Sequence, residues 1–141
     1  MKKLISLSVA LFLIVSFFTV STLAADKKTQ AAISTSAKVE VYYFHFTRRC
    51  VTCQAVETET KTAISALYPA QAKKGLITFK AVNLDEKKSE ALAKKCKAEG
   101  QALLVISGDK RIDLTEQGFM YAKSSPEKLK AELKKTIDPL L

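Results

Sequence analysis

Apolar residues in this chain are spaced by two different periods, and the switches between them mark its elements. Val39–Phe46, VEVYYFHF, is apolar at odd and even positions alike. A strand with one wet face alternates, so this run predicts a central strand covered on both sides. Thr47–Thr52 interrupts it. From Cys53 to about Tyr68 the spacing turns helical. Val56, Ala63, Ile64 and Leu67 can share a face, and Pro69 stops the helix. After Gly75, Leu76–Leu84 (LITFKAVNL) alternates as a second strand. Ser89–Ala98 reads as a shorter helix ending at Gly100. Ala102–Ser107 (ALLVIS) is a buried strand, Gly108-Asp109-Lys110 is turn material, and Arg111–Leu114 is a return strand. Ser125 is a helix N-cap with Pro126 at the first helical position. Glu127–Ile137 then places Leu129, Leu133 and Ile137 on one face.

The order is β-α-β-α-β-β-α. A strand–helix–strand unit calls for a parallel, right-handed crossover, and the hairpin adds antiparallel strands. The expectation is an α/β sandwich of one domain over residues 39–141. It has a mixed four-stranded sheet with helices on both faces.

The first 38 residues lie outside that pattern. Met1–Lys3 is basic, Leu4–Val20 is almost wholly apolar, and Ser21–Ala25 is small before Asp26-Lys27-Lys28 turns polar. That layout predicts a secretory signal peptide over residues 1–24, cleaved after Ala24, and a periplasmic or secreted protein. The alternative is an uncleaved inner-membrane anchor, because the apolar run approaches the shortest span. Residues 25–38, polar and rich in Ala, Ser and Thr, read as a flexible leader.

Cleavage leaves 117 of the 141 residues and lowers the formal charge from +9 to +7. The lysines come as scattered pairs such as Lys73-Lys74 and Lys94-Lys95, with no basic stripe interleaved with aromatics. A nucleic-acid partner is therefore not expected. With no GxGxxG or P-loop, neither is a nucleotide cofactor. A single histidine argues against a His-rich metal centre. Three cysteines are too few for a disulfide scaffold and one too many for a simple closed pair.

Two of the three carry the chemistry. Cys50-Val51-Thr52-Cys53 falls where the first strand ends and the first helix begins. Residues three apart across a first helical turn bring their sulfurs close. The helix start favours a thiolate at the first of them. Arg48 and Arg49 add positive charge beside it, as thiolate-stabilising or anion-binding groups. The thiolate is the nucleophile of disulfide exchange. The junction favours a redox-active dithiol needing no further cofactor. A static disulfide and a metal site stand as alternatives, although zinc would have only Cys96 and His45 to complete its ligands.

With that motif in that order, Val39 to Ile137 resembles the thioredoxin-like superfamily. The resemblance implies an exposed, attacking Cys50 and a more buried, resolving Cys53, and hence a thiol–disulfide oxidoreductase. The familiar WCGPC is here RCVTC. Counting back six residues from the first cysteine, the family's buried acid falls on Phe44. Its partner lysine falls on Ala81, and the proline facing the dithiol falls on Gln101. The run Tyr42–Cys53 with Gly100-Gln101-Ala102-Leu103 is also similar to a small exported thioredoxin-like family. That family is described as a subunit of a nitrophenyl-compound reductase encoded with arsenic-resistance genes. This narrower resemblance implies electron delivery, through Cys50 and Cys53, in nitroaromatic or organoarsenical reduction. The partner would be a redox protein or further reductase subunits.

Four other residues are candidates for supporting roles. His45 is either a strand histidine satisfied by a nearby carbonyl or a proton carrier for the dithiol. Gln101 is a candidate for substrate platform. Glu57, four residues after Cys53, is a solvated residue or a proton acceptor. Cys96 is either a small buried apolar residue or a third redox thiol. In a binding-module alternative, Cys50, Cys53 and Cys96 together hold a soft metal or metalloid without turnover.

Overall fold

A computed structural model describes residues 38–141, so the expected signal peptide lies outside the described residues, as does the expected leader apart from Lys38. Strand β1 (Val39–His45) leads into helix α1 (Val51–Leu67) and the single turn α2 (Pro69–Lys73). Strand β2 (Ile77–Asn83) follows, then a 3-10 turn (Lys87–Ser89) and helix α3 (Glu90–Cys96). The hairpin β3 (Ala102–Ser107) and β4 (Lys110–Asp113) precedes helices α4 (Thr115–Tyr121) and α5 (Pro126–Ile137). The sheet order is β2-β1-β3-β4. β1 pairs parallel with β2, with Tyr43 opposite Ala81, and antiparallel with β3, with Tyr43 opposite Leu103. This is the mixed four-stranded sheet of a thioredoxin-like α/β fold.

The missing alternation in β1 has its cause here. Val39, Val41 and Tyr43 face a cluster built with Val56, Ala63 and Ile64 of α1 and Leu129, Leu133 and Ile137 of α5. Tyr42 and Phe44 face a second cluster with Val82, Leu104, Ala93 and Cys96. Both faces of the strand are therefore dry, with α3 covering the second. Among the described residues no helix is long and apolar enough to cross a membrane.

Several elements differ from the sequence expectation: α1 starts at Val51 rather than Cys53, and β4 is Lys110–Asp113 rather than Arg111–Leu114. Pro69 does end α1, but it also starts α2, where a missing N–H is harmless. Helix α3 stops at Cys96 rather than running to Ala98, because Lys97 takes a left-handed conformation at φ 53°. Arg111 from β4 stabilises that early end, donating from Nε to the Cys96 carbonyl at 2.9 Å and from the guanidinium to the Lys97 carbonyl at 3.4 Å. Helix α4 was not expected at all. Leu114 donates its N–H to the Leu103 carbonyl at 2.8 Å, and Thr115 Oγ1 accepts from Leu103 N–H at 3.0 Å. The start of α4 is thus tied to β3 by tertiary bonds that a local pattern does not carry.

Candidate functional site

The carboxyl end of β1 opens into a short loop, and α1 begins one residue after Cys50. Cys50 is the N-cap, in extended backbone with φ −76° and ψ 167°. An N-cap side chain normally accepts from the orphan N–H groups of the first turn, and a Ser or Asp oxygen is the usual acceptor. Here the acceptor is sulfur: the Cys53 N–H points at Cys50 Sγ at 3.3 Å. The same turn brings the two sulfurs to 2.6 Å, with both cysteines as free thiols. A disulfide bond of about 2.05 Å needs only a small approach from there. Cys50 is exposed and Cys53 is buried.

This environment lowers the Cys50 thiol below its ordinary value. The largest cause is the hydrogen bond from the Cys53 thiol, followed by the backbone N–H of Cys53 and then that of Thr52. Neither arginine is among the causes. Arg49 forms an ion pair with Glu57, one turn beyond Cys53, and Arg48 is exposed. Glu57 is therefore neither simply solvated nor aimed at the sulfurs.

Gln101 reaches the site from the loop before β3. The single Cys53 proton serves Cys50 when that sulfur is a thiolate; while Cys50 is itself a thiol, the Cys53 thiol can donate to Gln101 Oε1 at 3.6 Å, a long but sulfur-compatible contact. His45 is 8% exposed, and its Nδ1 lies 3.0 Å from the Phe46 carbonyl oxygen. That is the arrangement of a satisfied strand histidine. Its ring lies 5.8 Å from that of Tyr43, centroid to centroid. The loop between His45 and Cys50 is braced from the other side of the site. Asp85 accepts the Thr47 N–H at 2.7 Å, and Asn83 donates to Thr47 Oγ1 at 2.9 Å.

Cys96 is not brought to the dithiol. It packs against Tyr42 and Phe44, on the sheet face opposite the one that carries α1, and burial pushes its thiol up. Among the described residues no group of three or more His, Cys, Asp or Glu side chains is arranged to hold a metal ion. The trio Cys50, Cys53 and Cys96 thus does not form a single constellation.

Sequence counting missed one residue of the site, Tyr43. The six-residue offset pointed to Phe44, but Phe44 lies in the cluster around Cys96. Tyr43, on the α1 side, is the residue whose hydroxyl feels the Cys53 and Cys50 sulfurs and the Arg49 charge. The signal available was the strand's own alternation, which puts Tyr43 with Val39 and Val41, and Val41 and Val39 with the first helix.

The chain thus has an α/β fold of thioredoxin-like topology, with a CxxC at its first strand-to-helix turn. No family model matches the chain, and no curated protein matches it. A solved structure described as "Structure of a malarial protein" is similar at 24% identity, covering 70% of this chain and 96% of that one, with a TM-score of 0.45.

Proposed function

We propose that the protein is an exported thiol–disulfide oxidoreductase that passes electrons through Cys50 and Cys53. The observation that carries the reading is the exposed Cys50 sulfur, capping α1 and accepting the Cys53 N–H, with the Cys53 sulfur beside it. A sulfur held this way is a thiolate at lower pH than a free cysteine, and its partner is within bonding reach.

The exchange runs in two steps. The Cys50 thiolate attacks one sulfur of a substrate disulfide, forms a mixed disulfide and releases the other sulfur as a thiolate. Cys53, once deprotonated, attacks Cys50 Sγ, closes the Cys50–Cys53 bond and releases the second substrate thiolate. The substrate gains two electrons and the dithiol loses two. A dithiol donor reverses both steps and resets the protein. The YYFHFTRRCVTC run supports placing it as an electron-delivering subunit in nitroaromatic or organoarsenical reduction.

The test is equilibration with glutathione buffers of graded ratio, reading the oxidised fraction by mass after acid trapping. A reversible two-electron transition that disappears in Cys50→Ser is expected. A bridge that never opens in the most reducing buffer, or never forms in the most oxidising one, rules the proposal out. Export is checked separately by the mass of the mature chain, with loss of residues 1–24 expected.

A further inference from the structure

The Tyr43 side chain is fully buried, and its hydroxyl has no nitrogen or oxygen partner; the one group that acts on it as a hydrogen-bond partner is the Cys53 side chain. A buried phenol left without a nitrogen or oxygen partner is costly, so such a group asks for an explanation. Its surroundings supply one. The charges that act on the hydroxyl are those of Cys53, Arg49 and Cys50. Glu57 is held in its ion pair by Arg49. His45 is ring-to-ring with Tyr43 rather than at its hydroxyl. The cross-strand neighbours Ala81 and Leu103 are uncharged.

Resting on the dithiol reading above, we propose that Tyr43 is a positioning residue for disulfide exchange: its hydroxyl is the reserved donor that stabilises Cys53 as a thiolate. The need arises from burial. Whenever the Cys50–Cys53 bond is opened by an attacking thiolate, the Cys50 sulfur joins the attacker and Cys53 leaves carrying the negative charge. In the closing direction Cys53 must shed its proton before it attacks Cys50 Sγ and displaces the substrate thiolate. Both directions pass through a buried anion, and a buried anion needs a donor.

Gln101 and Tyr43 serve the two protonation states of this one sulfur. While Cys50 is also a thiol, the Cys53 thiol donates its proton to Gln101 Oε1. That oxygen is an acceptor only and offers nothing to a thiolate. The Tyr43 hydroxyl has the opposite polarity. Burial raises its pKa far above the ordinary value, with the Cys53 charge next in effect. It therefore stays protonated throughout the working range and acts as a donor, not as a base. The proton leaving Cys53 goes to solvent through the exposed Cys50 side of the site.

The test is the reaction of the reduced protein with Ellman's reagent. Cys50 attacks first, forming a mixed disulfide and releasing one thionitrobenzoate. Cys53 then displaces the second in closing the bridge. Tyr43→Phe keeps the ring and removes the hydroxyl. The first release is expected to be unchanged. The second is expected to slow about tenfold near neutral pH, the size of one lost hydrogen bond to a charged group. The slowing should shrink as the pH rises and thiolate forms without help. Tyr42→Phe, on the opposite face, should leave both phases alone.

A second release that is equally fast in Tyr43→Phe at every pH overturns the role of Tyr43. If the wild-type protein gives no second release at all, it is the dithiol reading that fails, and the two outcomes are distinct. Should Tyr43→Phe not fold, the wild type still decides. In reduced protein labelled at the tyrosine ring carbons, the Tyr43 Cζ resonance should move as rising pH deprotonates Cys53. A resonance indifferent to the state of Cys53 counts against the proposal.

Discussion

Gln101 Oε1 receives the thiol proton of Cys53 from across the mouth of the sheet, at 3.6 Å, while Cys50 is itself a thiol. Only the reduced protein has that proton, so the contact belongs to one redox state. Replacing Gln101 with Leu removes the acceptor while keeping the size of the side chain. The reduced form should lose about 0.5 kcal/mol, the low end for a neutral hydrogen bond because a thiol is a weak donor. The dithiol–disulfide equilibrium should then move about twofold toward the disulfide, read in glutathione buffers acid enough to keep Cys50 a thiol. A shift toward the dithiol would mean that the contact is unfavourable in the reduced state.

The lowered Cys50 thiol gives a pH dependence with a definite sign. A group whose folded pKa is depressed stabilises the fold fully above its unfolded value, about 8.5 for cysteine. That contribution disappears as the pH falls through the lowered folded value. The reduced protein should therefore gain stability on going from acid to pH 9, and Cys50→Ser should flatten that part of the profile. Because the Cys53 thiol is the largest cause, Cys53→Ala should slow iodoacetamide alkylation of Cys50 several-fold at pH 7. Melting curves across pH and alkylation rates check the two halves independently.

Much of this site could be read from the chain, and the remainder depends on tertiary placement. The dithiol, the strand before it and the helix after it follow from VEVYYFHF, the CxxC spacing and the helical repeat from Val56 to Leu67. The hairpin turn follows from Gly108, which adopts φ 57° at the first central position of a two-residue loop. Tyr43 was hidden for the same reason that β1 was recognisable. A strand apolar on both faces does not announce which face meets the helix, and an offset counted from another motif then lands on the wrong neighbour. The sequence offers Arg49 as a thiolate-stabilising or anion-binding group, whereas Glu57, eight residues on, pairs with it. For Cys96, of the two readings its sequence position allows, the buried apolar residue is the one its packing matches. The alternation of Tyr42 and Phe44 against Tyr43 sends it to the other face.

That separation makes Cys96 a test of the two-thiol site. It is 3% exposed among Tyr42, Phe44, Ala93 and Leu104. Cys96→Ser places a hydroxyl in that apolar cluster and should cost about 1–3 kcal/mol in denaturant unfolding. The Cys50–Cys53 equilibrium should not change, and the disulfide map of the oxidised protein should contain no bridge to Cys96. A Cys96 bridge, or a changed equilibrium, would restore a three-thiol mechanism.

Helix α4 lies close against β3 and α1, and Gly118 is what permits it. A Cβ added there would meet Leu103 Cδ2 at 3.1 Å and Val56 Cγ1 at 3.3 Å. Both neighbours are fully buried, so neither side chain has open space to retreat into. Val56 lies three residues after Cys53, so the close contact also sets the height of the dithiol's helix against the sheet. Gly118→Val adds a branched side chain to this gap and should destabilise by about 1–3 kcal/mol, as overpacking does. For a domain of this size that lowers the melting temperature by about 4–8 °C per kcal/mol. Gly100 is the matched control, since a Cβ there meets nothing within 4 Å and its φ is not positive. Gly100→Ala should stay within about 0.5 kcal/mol of the parent, the usual range for substitutions away from packed contacts. Equal melting temperatures for the two variants would show that α4 does not bear on Leu103 and Val56 as closely as its position requires.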